Sequence, residues 1–369
     1  MIFRSTSKRP IIIAGNGCRE AGAVELLHAF YEKTHIPVLT TMNASDLMQG
    51  EDKIGFIGVY GNRIANMIVD HCDLVISIGA RLGLRQIGNI TAHFAPNAFL
   101  IRADVDQYEL SRSIKPDEEK HLIDAKEFLL QLMDEDIPVY DTWGQSCFAA
   151  KALLAPFDKE IGNLCIEKIA SLLPPEPIVA VDIGQAQCWT AQSLTLKGRN
   201  GRILIGGSYG SMGCGLPYAI GACIAIGKRP VFCITGDGGL QMNIQELQTV
   251  ASEKLPIKIL VINNKALGKI AEIQSGSYDH RMSITTEASG YTVPDLEKVA
   301  EAYGMRARTL DGYEALDTCT DLLLDDDPCL LNILLPEAVV LRPKMNWNDR
   351  VMKPLLDEAV MAQAESLLS

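Results

Sequence analysis

Residues 236–264 read GDGGLQMNIQELQTVASEKLPIKILVINN and predict one complete strand-to-strand unit of a parallel sheet. The apolar run VFCIT, which ends just before Gly236, has the composition of a strand, and Ile257 to Ile262 has it again. Between these runs, residues 244–253 show the apolar spacing of a helix. Because parallel strands need a crossover connection of this kind, the stretch favours an α/β fold.

Each of the two strands is followed by residues suited to bind a cation. Asp237 lies on a Gly-rich turn after the first strand, and Asn263-Asn264 follow the second. The carboxyl ends of parallel strands share one edge of the sheet, where ligands bind in open α/β folds. Hard divalent cations prefer oxygen ligands, and a helix that begins at this edge offers amides to a phosphate. Gly-Asp-Gly alone is usually only a turn, but the conjunction predicts a cation and phosphate site.

The same alternation of strand and helix runs along both halves of the chain. Strands are predicted at 10–14, 37–41, 74–78, 98–105, 178–182, 231–235, 257–262 and 330–334. We therefore predict an α/β protein with two doubly wound parallel-sheet domains. Their expected bounds are 1–133 and 164–336, with an interdomain linker at 134–163 and a C-terminal tail at 337–369.

The composition of the chain excludes several classes of protein. A formal charge of −12 over 369 residues argues against binding to nucleic acid or to an anionic membrane surface. No apolar run reaches transmembrane length, and the first apolar run leads into a Gly turn, as in a first strand rather than a signal peptide. The 10 cysteines form no CxxC pair and the 6 histidines do not cluster. Zinc is therefore unsupported, and we expect reduced thiols in a cytoplasmic protein.

The pattern of residues 236–264 resembles the cofactor-binding signature of thiamine diphosphate enzymes, and the run NIQELQTVASEKLPIKILVINN is similar to their acetolactate synthase branch. Asp182-Ile183-Gly184-Gln185, with Trp189 after it, resembles the diphosphate loop of that family. Gly210-Ser211-Met212-Gly213 resembles the segment on which the two cofactor rings rest. The first half resembles the family's central domain in RPIIIAGNG, IPVLTTMNA, GVYGNRIANMIVDHCDLVISIGAR and FAPNAFLIRADVD. The resemblance implies a central domain followed by a diphosphate-binding domain.

The resemblance also implies the residues that hold the cofactor. Mg²⁺ would be bound by the side chains of Asp237 and Asn264 and by the backbone carbonyl near Ala266. Met212 would hold the two cofactor rings in a bent V shape. The full set implied for thiamine diphosphate is Gly184, Gln185, Gly210, Met212, Gly236, Asp237, Gly238, Gly239, Asn264 and Gly268.

The chain departs from the family at several positions. Ala186 and Ala266 stand where the family often has histidine, and Gly239 stands where serine is common. Ile273 replaces a tryptophan of the substrate channel, which puts the acetolactate substrate pair in doubt. Cofactor binding is compatible with all four changes.

The central domain of acetolactate synthases binds FAD, and the matching positions here are only partly preserved. Gly15-Asn16-Gly17, Thr41-Met42, Gly79-Ala80-Arg81 and Asp104-Val105-Asp106 fall where FAD contacts would lie. An acidic pair of the family is replaced by Gly83-Leu84, although Arg85 remains. A GxG run after a strand is a weak nucleotide signal, so FAD binding and a purely structural domain both stay open.

Family members begin with a pyrimidine-binding domain whose glutamate activates the cofactor, and we expect this chain to lack that domain. No glutamate here can be assigned its role, so the catalytic residue is unknown. The domain would then belong to a separate polypeptide in a hetero-oligomer, or the chain would be an inactive, truncated or regulatory partner in a homo-oligomer. The leading hypothesis is the cofactor-binding portion of a decarboxylase or carboligase for 2-keto acids such as pyruvate.

Two further enzyme classes are weighed against this hypothesis. A flavin-linked oxidative decarboxylase, or a ligase that does not decarboxylate, would keep the same cofactor. A nicotinamide dehydrogenase is disfavoured, because the loop at Gly15 has no well-spaced GxGxxG and no convincing ribose-binding acid.

Overall fold

A computed structural model describes residues 3–4, 6–207, 209–337 and 340–369 of the chain. The chain divides into two units, the first formed by Met1–Asp158 with Arg342–Ser369 and the second by Lys159–Leu341. Each unit is built around one parallel sheet, so the predicted fold class is confirmed. No helix among the described residues is long and apolar enough to cross a membrane.

The first unit has a five-stranded sheet in the order β2-β1-β3-β4-β5, with every pairing parallel. The strands are β1 (Pro10–Ala14), β2 (Val38–Thr40), β3 (Leu74–Ile78), β4 (Phe99–Asp104) and β5 (Glu119–Leu122). The helices are α1 (Gly17–Glu20), α2 (Val24–Thr34), α3 (Arg63–His71), α4 (Leu84–Ile87), α5 (Gln107–Ser111), α6 (Ala125–Met133) and α7 (Asp141–Leu154). The chain starts in β1, turns to β2 on one side and continues to β3 on the other. Right-handed crossovers therefore place helices on both faces of this sheet.

The second unit has a six-stranded sheet in the order β10-β11-β9-β8-β6-β7, again with parallel pairings throughout. The strands are β6 (Ile178–Val181), β7 (Arg202–Ile205), β8 (Val231–Gly236), β9 (Ile257–Asn263), β10 (Arg306–Asp311) and β11 (Cys329–Leu334). The helices are α8 (Ile161–Leu172), α9 (Gln185–Ser193), α10 (Gly215–Ala225), α11 (Asp237–Met242), α12 (Glu246–Ser252), α13 (Gly268–Ser277), α14 (Leu296–Ala302) and α15 (Thr320–Leu324). The strand order reverses at β6, whose neighbours are β7 and β8. This reversal opens a crevice at the carboxyl ends of β6 and β8.

The innermost strands are apolar because both of their faces are covered. All five residues of β1 and of β3 are buried, and so are all seven of β9. This is the composition expected of parallel strands between two helical layers. Three strands that the sequence did not predict, β5, β7 and β10, each lie at an edge of a sheet.

The stretch predicted as a linker, 134–163, contains a packed helix in the structure. Helix α7 turns Trp143, Cys147, Ala150 and Leu154 inward, at the spacing of one helical face, and belongs to the first unit. The first unit ends at Asp158, and α8 of the second unit begins at Ile161. The physical reason is that this helix buries an apolar stripe, which a linker would leave exposed.

The stretch predicted as a tail, 337–369, also forms regular structure where it is described. It carries β12 (Lys344–Met345), β13 (Met352–Lys353) and α16 (Glu358–Leu368), and from Arg342 onward it belongs to the first unit. Helix α16 packs against α7 and buries Ala364 and Leu368. Arg350 anchors the segment, since its guanidinium donates to the backbone carbonyls of Gln86 and Ile87 and pairs with Asp70.

Candidate functional site

The candidate site lies in the second unit, where the chain leaves the carboxyl ends of β6, β8 and β9. Two helices of this site, α9 and α13, begin at this edge with Gln185 and Gly268. Their first-turn amides have no partner within the helix, so the edge carries positive potential suited to an anion. The predicted site residues come from four segments that the fold brings together: 182–185, 210–213, 236–239 and 264–268.

Asp237 is the one acidic side chain among the predicted ligands. It is buried, and its Oδ2 accepts no hydrogen bond from any described residue. Burial raises the pKa of this carboxyl to about 7, opposed by the nearby backbone amides, including that of Ala266, and by the nearby Tyr291 hydroxyl. A buried, incompletely satisfied carboxylate is costly and therefore suggests a functional site.

The turn after β9 faces the start of α9. The side-chain amide of Asn264 donates to Gln185 Oε1 over 2.9 Å. A methyl group added at Gly268 would lie 2.0 Å from that same oxygen, so position 268 has no room for a side chain. Asn264, Gln185 and Gly268, all predicted as cofactor-binding residues, therefore meet at one point. The Ala266 amide faces Asp237, and this contact joins the turn to the corner after β8.

The segment 210–213 is held over the site by Asp182. The carboxylate of Asp182 accepts hydrogen bonds from the Ile183 amide at 2.8 Å, from the Gly213 amide at 3.0 Å and from Thr235 Oγ1 at 3.0 Å. Asp182 is 1% exposed, and burial raises the pKa of its carboxyl more than these hydrogen bonds lower it. The carboxylate thus ties together the end of β6, the end of β8 and the loop that carries Met212.

The glycines of the Gly-Asp-Gly-Gly turn allow close packing. A methyl group added at Gly238 would lie 3.0 Å from Met212 Cε, 2.5 Å from Leu267 and 2.9 Å from the Tyr291 hydroxyl. At Gly239 it would lie 2.3 Å from Asp182 Oδ2. By contrast, a methyl group added at Gly184 or at Gly236 would have no atom within 4 Å. Gly184 has a φ of +113°, which favours glycine. Gly210, also with positive φ, lies next to Ile183.

Sequence reasoning did not assign roles to Asp182 and Tyr291. Asp182 stands inside a recognised motif, but its partners Gly213 and Thr235 are 31 and 53 residues away. Tyr291 lies in a loop without any motif. Burial, together with the nearby charge of Asp237, raises the pKa of Tyr291. Ile273 is 41% exposed on α13, a helix with no buried residue.

The residues matched to FAD contacts lie in the first unit and mostly serve local structure. The Gly15 and Gly17 amides donate to the carbonyls of Ile78 and Gly79, and a methyl group at Gly15 would lie 2.0 Å from Gly79 O. Asp106 caps α5, and Arg81 pairs with Glu109. The amides of Gly15 and Gly17 are therefore bonded within the first unit and are not free to bind a diphosphate.

Among the described residues, no group of three or more His, Cys, Asp and Glu side chains could hold a metal ion. A cation at Asp237 would therefore draw its other ligands from amide side chains, backbone carbonyls, water and a bound anion. That composition is usual for Mg²⁺, which keeps few protein ligands and binds substrate phosphates.

Comparison with known proteins identifies the class. Residues 5–132 match the family described as "Thiamine pyrophosphate enzyme, central domain", and residues 182–333 match "Thiamine pyrophosphate enzyme, C-terminal TPP binding domain". The chain belongs to the thiamine pyrophosphate enzymes, of which it carries these two domains.

Within this class the chain is homologous to acetolactate synthase large subunits. It is 34% identical over 346 residues to the acetolactate synthase large subunit of Lactococcus lactis subsp. lactis, covering 90% of this chain and 59% of that protein. It is 32% identical over 356 residues to the probable acetolactate synthase large subunit of Methanocaldococcus jannaschii, covering 91% and 59%. For the isozyme 2 large subunit of Escherichia coli the identity is 30% over 341 residues, covering 90% and 60%. The chain thus spans about three fifths of the length of these relatives.

Proposed function

We propose that this chain supplies the Mg²⁺- and thiamine diphosphate-binding half of the active site of an acetolactate synthase-like enzyme. The reaction class is decarboxylation and carboligation of a small 2-keto acid, in the cytoplasm. The observation that carries the proposal is the buried Asp237 carboxylate, whose Oδ2 has no partner in the described part of the chain and which faces the turn formed by Asn264 and Ala266. A divalent cation would compensate that charge.

The residues present fit the cofactor. Asp237, Asn264 and the Ala266 carbonyl would hold Mg²⁺. Met212, supported through Gly213 by Asp182, would face the cofactor rings together with Gly210. The groups that would contact the diphosphate are Gly184, Gln185, Gly236, Gly238, Gly239 and Gly268. When bound, thiamine diphosphate supplies the carbanion chemistry of the reaction, and these residues bind and orient it.

We further propose that a pyrimidine-binding domain completes the site, on this or on another polypeptide. That domain would supply the activating glutamate, and the assembly would be a homo-oligomer or a hetero-oligomer. The exposed apolar side chains beside the site support such an interface: Tyr209, Met212, Ile270 and Ile273 are between 37% and 97% exposed. An inactive regulatory chain is the main alternative. Flavin-linked oxidation has no supporting observation at the Gly15 loop.

Calorimetric titration tests the proposal. ThDP is titrated into the chain with Mg²⁺ and, separately, with EDTA, in the presence and absence of a candidate pyrimidine-domain protein. We expect weak Mg²⁺-dependent binding to the chain alone and tighter binding with the added domain. Absence of Mg²⁺-dependent heat in every arm would refute cofactor binding.

Product formation from pyruvate then separates the alternatives. We expect little or no carboligation by the chain alone and measurable product with the pyrimidine-domain protein. Binding without turnover in the completed assembly would favour the inactive regulatory chain. Robust carboligation by the chain alone would contradict the need for another domain.

A further inference from the structure

Polar side chains form a continuous hydrogen-bonded row across three neighbouring strands of the second unit. Asn263 at the end of β9 donates from Nδ2 to Asn332 Oδ1 in β11 over 2.9 Å. Asn332 Nδ2 donates in turn to Thr309 Oγ1 in β10 over 3.3 Å. Asn263 and Asn332 are only 3% and 5% exposed. We call these three residues the amide row.

The amide row ends at the turn that carries the proposed metal ligands. Asn263 Oδ1 accepts a hydrogen bond from the Lys265 amide at 3.1 Å, and Lys265 has a φ of +51°, which is unfavourable for a lysine. An Asn side chain that bonds the amide two residues later stabilises such a turn. Asn264 and Ala266 flank Lys265, so the directions of Asn264 Oδ1 and of the Ala266 carbonyl depend on this turn.

The side-chain amide of Asn263 has a fixed orientation only because Asn332 accepts from its Nδ2. Without that acceptor, the buried Asn263 Nδ2 has no partner, and the side chain gains by leaving the place in which its oxygen accepts from the Lys265 amide, because a buried donor without a partner is costly. We propose that Asn332 is a positioning residue for the metal-binding corner, acting through Asn263 and the Lys265 turn. Asn332 belongs to none of the motifs discussed above. The inference rests on the function proposed above.

The alternative is that the amide row only stabilises the sheet. A matched pair of variants separates the two. Asn332→Leu removes the acceptor while keeping a similar size, at the edge of an open pocket that Asn263, Asn332 and Thr309 all line. Leu331→Val, one residue earlier in β11, weakens the packing on the opposite face of the sheet without touching the row. Asn332→Asp keeps an oxygen towards Asn263 and is the conservative rescue.

The first measurement is amide hydrogen exchange of the chain without ligands, resolved at Lys265. In Asn332→Leu we expect the Lys265 amide to exchange about fivefold faster or more, the ratio that follows from loss of one hydrogen bond. In Asn332→Asp and Leu331→Val we expect the Lys265 exchange rate of the wild-type chain. Urea unfolding shows how much global stability each variant loses.

The second measurement is the Mg²⁺ concentration for half-saturation at fixed ThDP. We expect it to rise about tenfold in Asn332→Leu, within the range found when residues behind metal ligands are changed, and to stay unchanged in both controls. Equal behaviour of Asn332→Leu and Leu331→Val in both measurements would overturn the positioning role. Failure of the wild-type chain to bind Mg²⁺ and ThDP would instead refute the proposed function, whatever the exchange data show.

Discussion

Asn264 Nδ2 donates a hydrogen bond to Gln185 Oε1 over 2.9 Å, although 79 residues separate them in the chain. Their strands, β9 and β6, are not neighbours, because β8 lies between them. The contact therefore spans the crevice edge and closes one end of the site. It also fixes the Asn264 side chain, with its Oδ1 as the group left for a cation.

The Asn264–Gln185 pair should be energetically coupled. We expect Gln185→Ala, Asn264→Ala and the double variant to give a coupling free energy of about 1 kcal/mol in urea unfolding of the chain without ligands. The chain offers a control away from the site, since Asn163 Nδ2 donates to Gln192 Oε1, also over 2.9 Å, at the other end of α9. Because Asn163 also bonds Ser193 and the Glu160 amide, Asn163→Ala should cost more stability than Asn264→Ala and yet leave Mg²⁺-dependent ThDP binding unchanged. Fully additive effects at the site would contradict the coupling.

Much of the fold could be predicted from sequence because the central strands are continuously apolar. Strands β1, β3, β8, β9 and β11 were predicted within a residue or two. The missed strands β5, β7 and β10 lie at sheet edges, where polar residues are common and the apolar signal is weak. The return of residues 342–369 to the first unit could not be predicted, since it depends on contacts such as Arg350 with Asp70.

The candidate site, like the fold, was predicted only in part. Residues such as Asp237 and Asn264 follow strands directly, so the rule that ligands bind at the carboxyl ends of parallel strands predicted their common edge. The supporting side chains could not be predicted. Asp182 needs the Gly213 amide, and Asn263 needs Asn332, and neither partner is close in sequence. Local patterns predicted which residues lie at this edge of the sheet, whereas tertiary contacts decide what holds them there.

The Asp237 carboxylate should favour Mg²⁺-dependent binding of ThDP and lower the stability of the unliganded chain. Its carboxylate is buried with Oδ2 unpartnered, so the neutral isostere Asp237→Asn removes a buried charge without changing the shape. We expect the unliganded variant to unfold at equal or higher urea concentration than the wild-type chain at pH 8. Its Mg²⁺-dependent affinity for ThDP should fall by at least about tenfold. Marked destabilisation of the unliganded variant would show that Asp237 is a structural residue instead.

Asp182 should control the order of the loop that carries Met212. Asp182→Ala removes both carboxylate oxygens that accept from the Gly213 amide, and we expect a stability loss of about 1.5–3 kcal/mol. The Gly213 amide should exchange faster than in the wild-type chain, and the methyl signal of Met212 should sharpen in ¹³C-methyl spectra. Thr235→Val removes a single bond to Asp182 and should leave the Gly213 amide protected. An unchanged Gly213 exchange rate in Asp182→Ala would contradict this role.

Lys258 is a charged residue inside the buried strand β9, and its contacts make the stability of the second unit depend on pH in the acid range. Its ammonium is fully buried and donates to Leu322 O at 2.8 Å, Asp325 Oδ1 at 2.6 Å and Asp327 O at 2.5 Å. Burial raises the pKa of Asp325, but the hydrogen bonds from Lys258 and Arg306 outweigh it and hold that pKa below its ordinary value. Because the folded-state pKa is lowered, the stabilisation is complete above the ordinary pKa of 3.8 and is lost as the pH falls through the folded value.

Asp325→Asn should therefore be less stable than the wild-type chain at pH 7, and the difference should shrink as the pH falls below about 4. Urea unfolding between pH 3 and pH 7 measures this difference in stability. The range is chosen because it includes the ordinary carboxyl pKa of about 4. The exposed neighbour Asp326 gives the control, since no described contact involves its side chain and Asp326→Asn should follow the wild-type curve. A stability difference for Asp325→Asn that stays constant across this range would mean that its carboxylate does not stabilise the Lys258 ammonium.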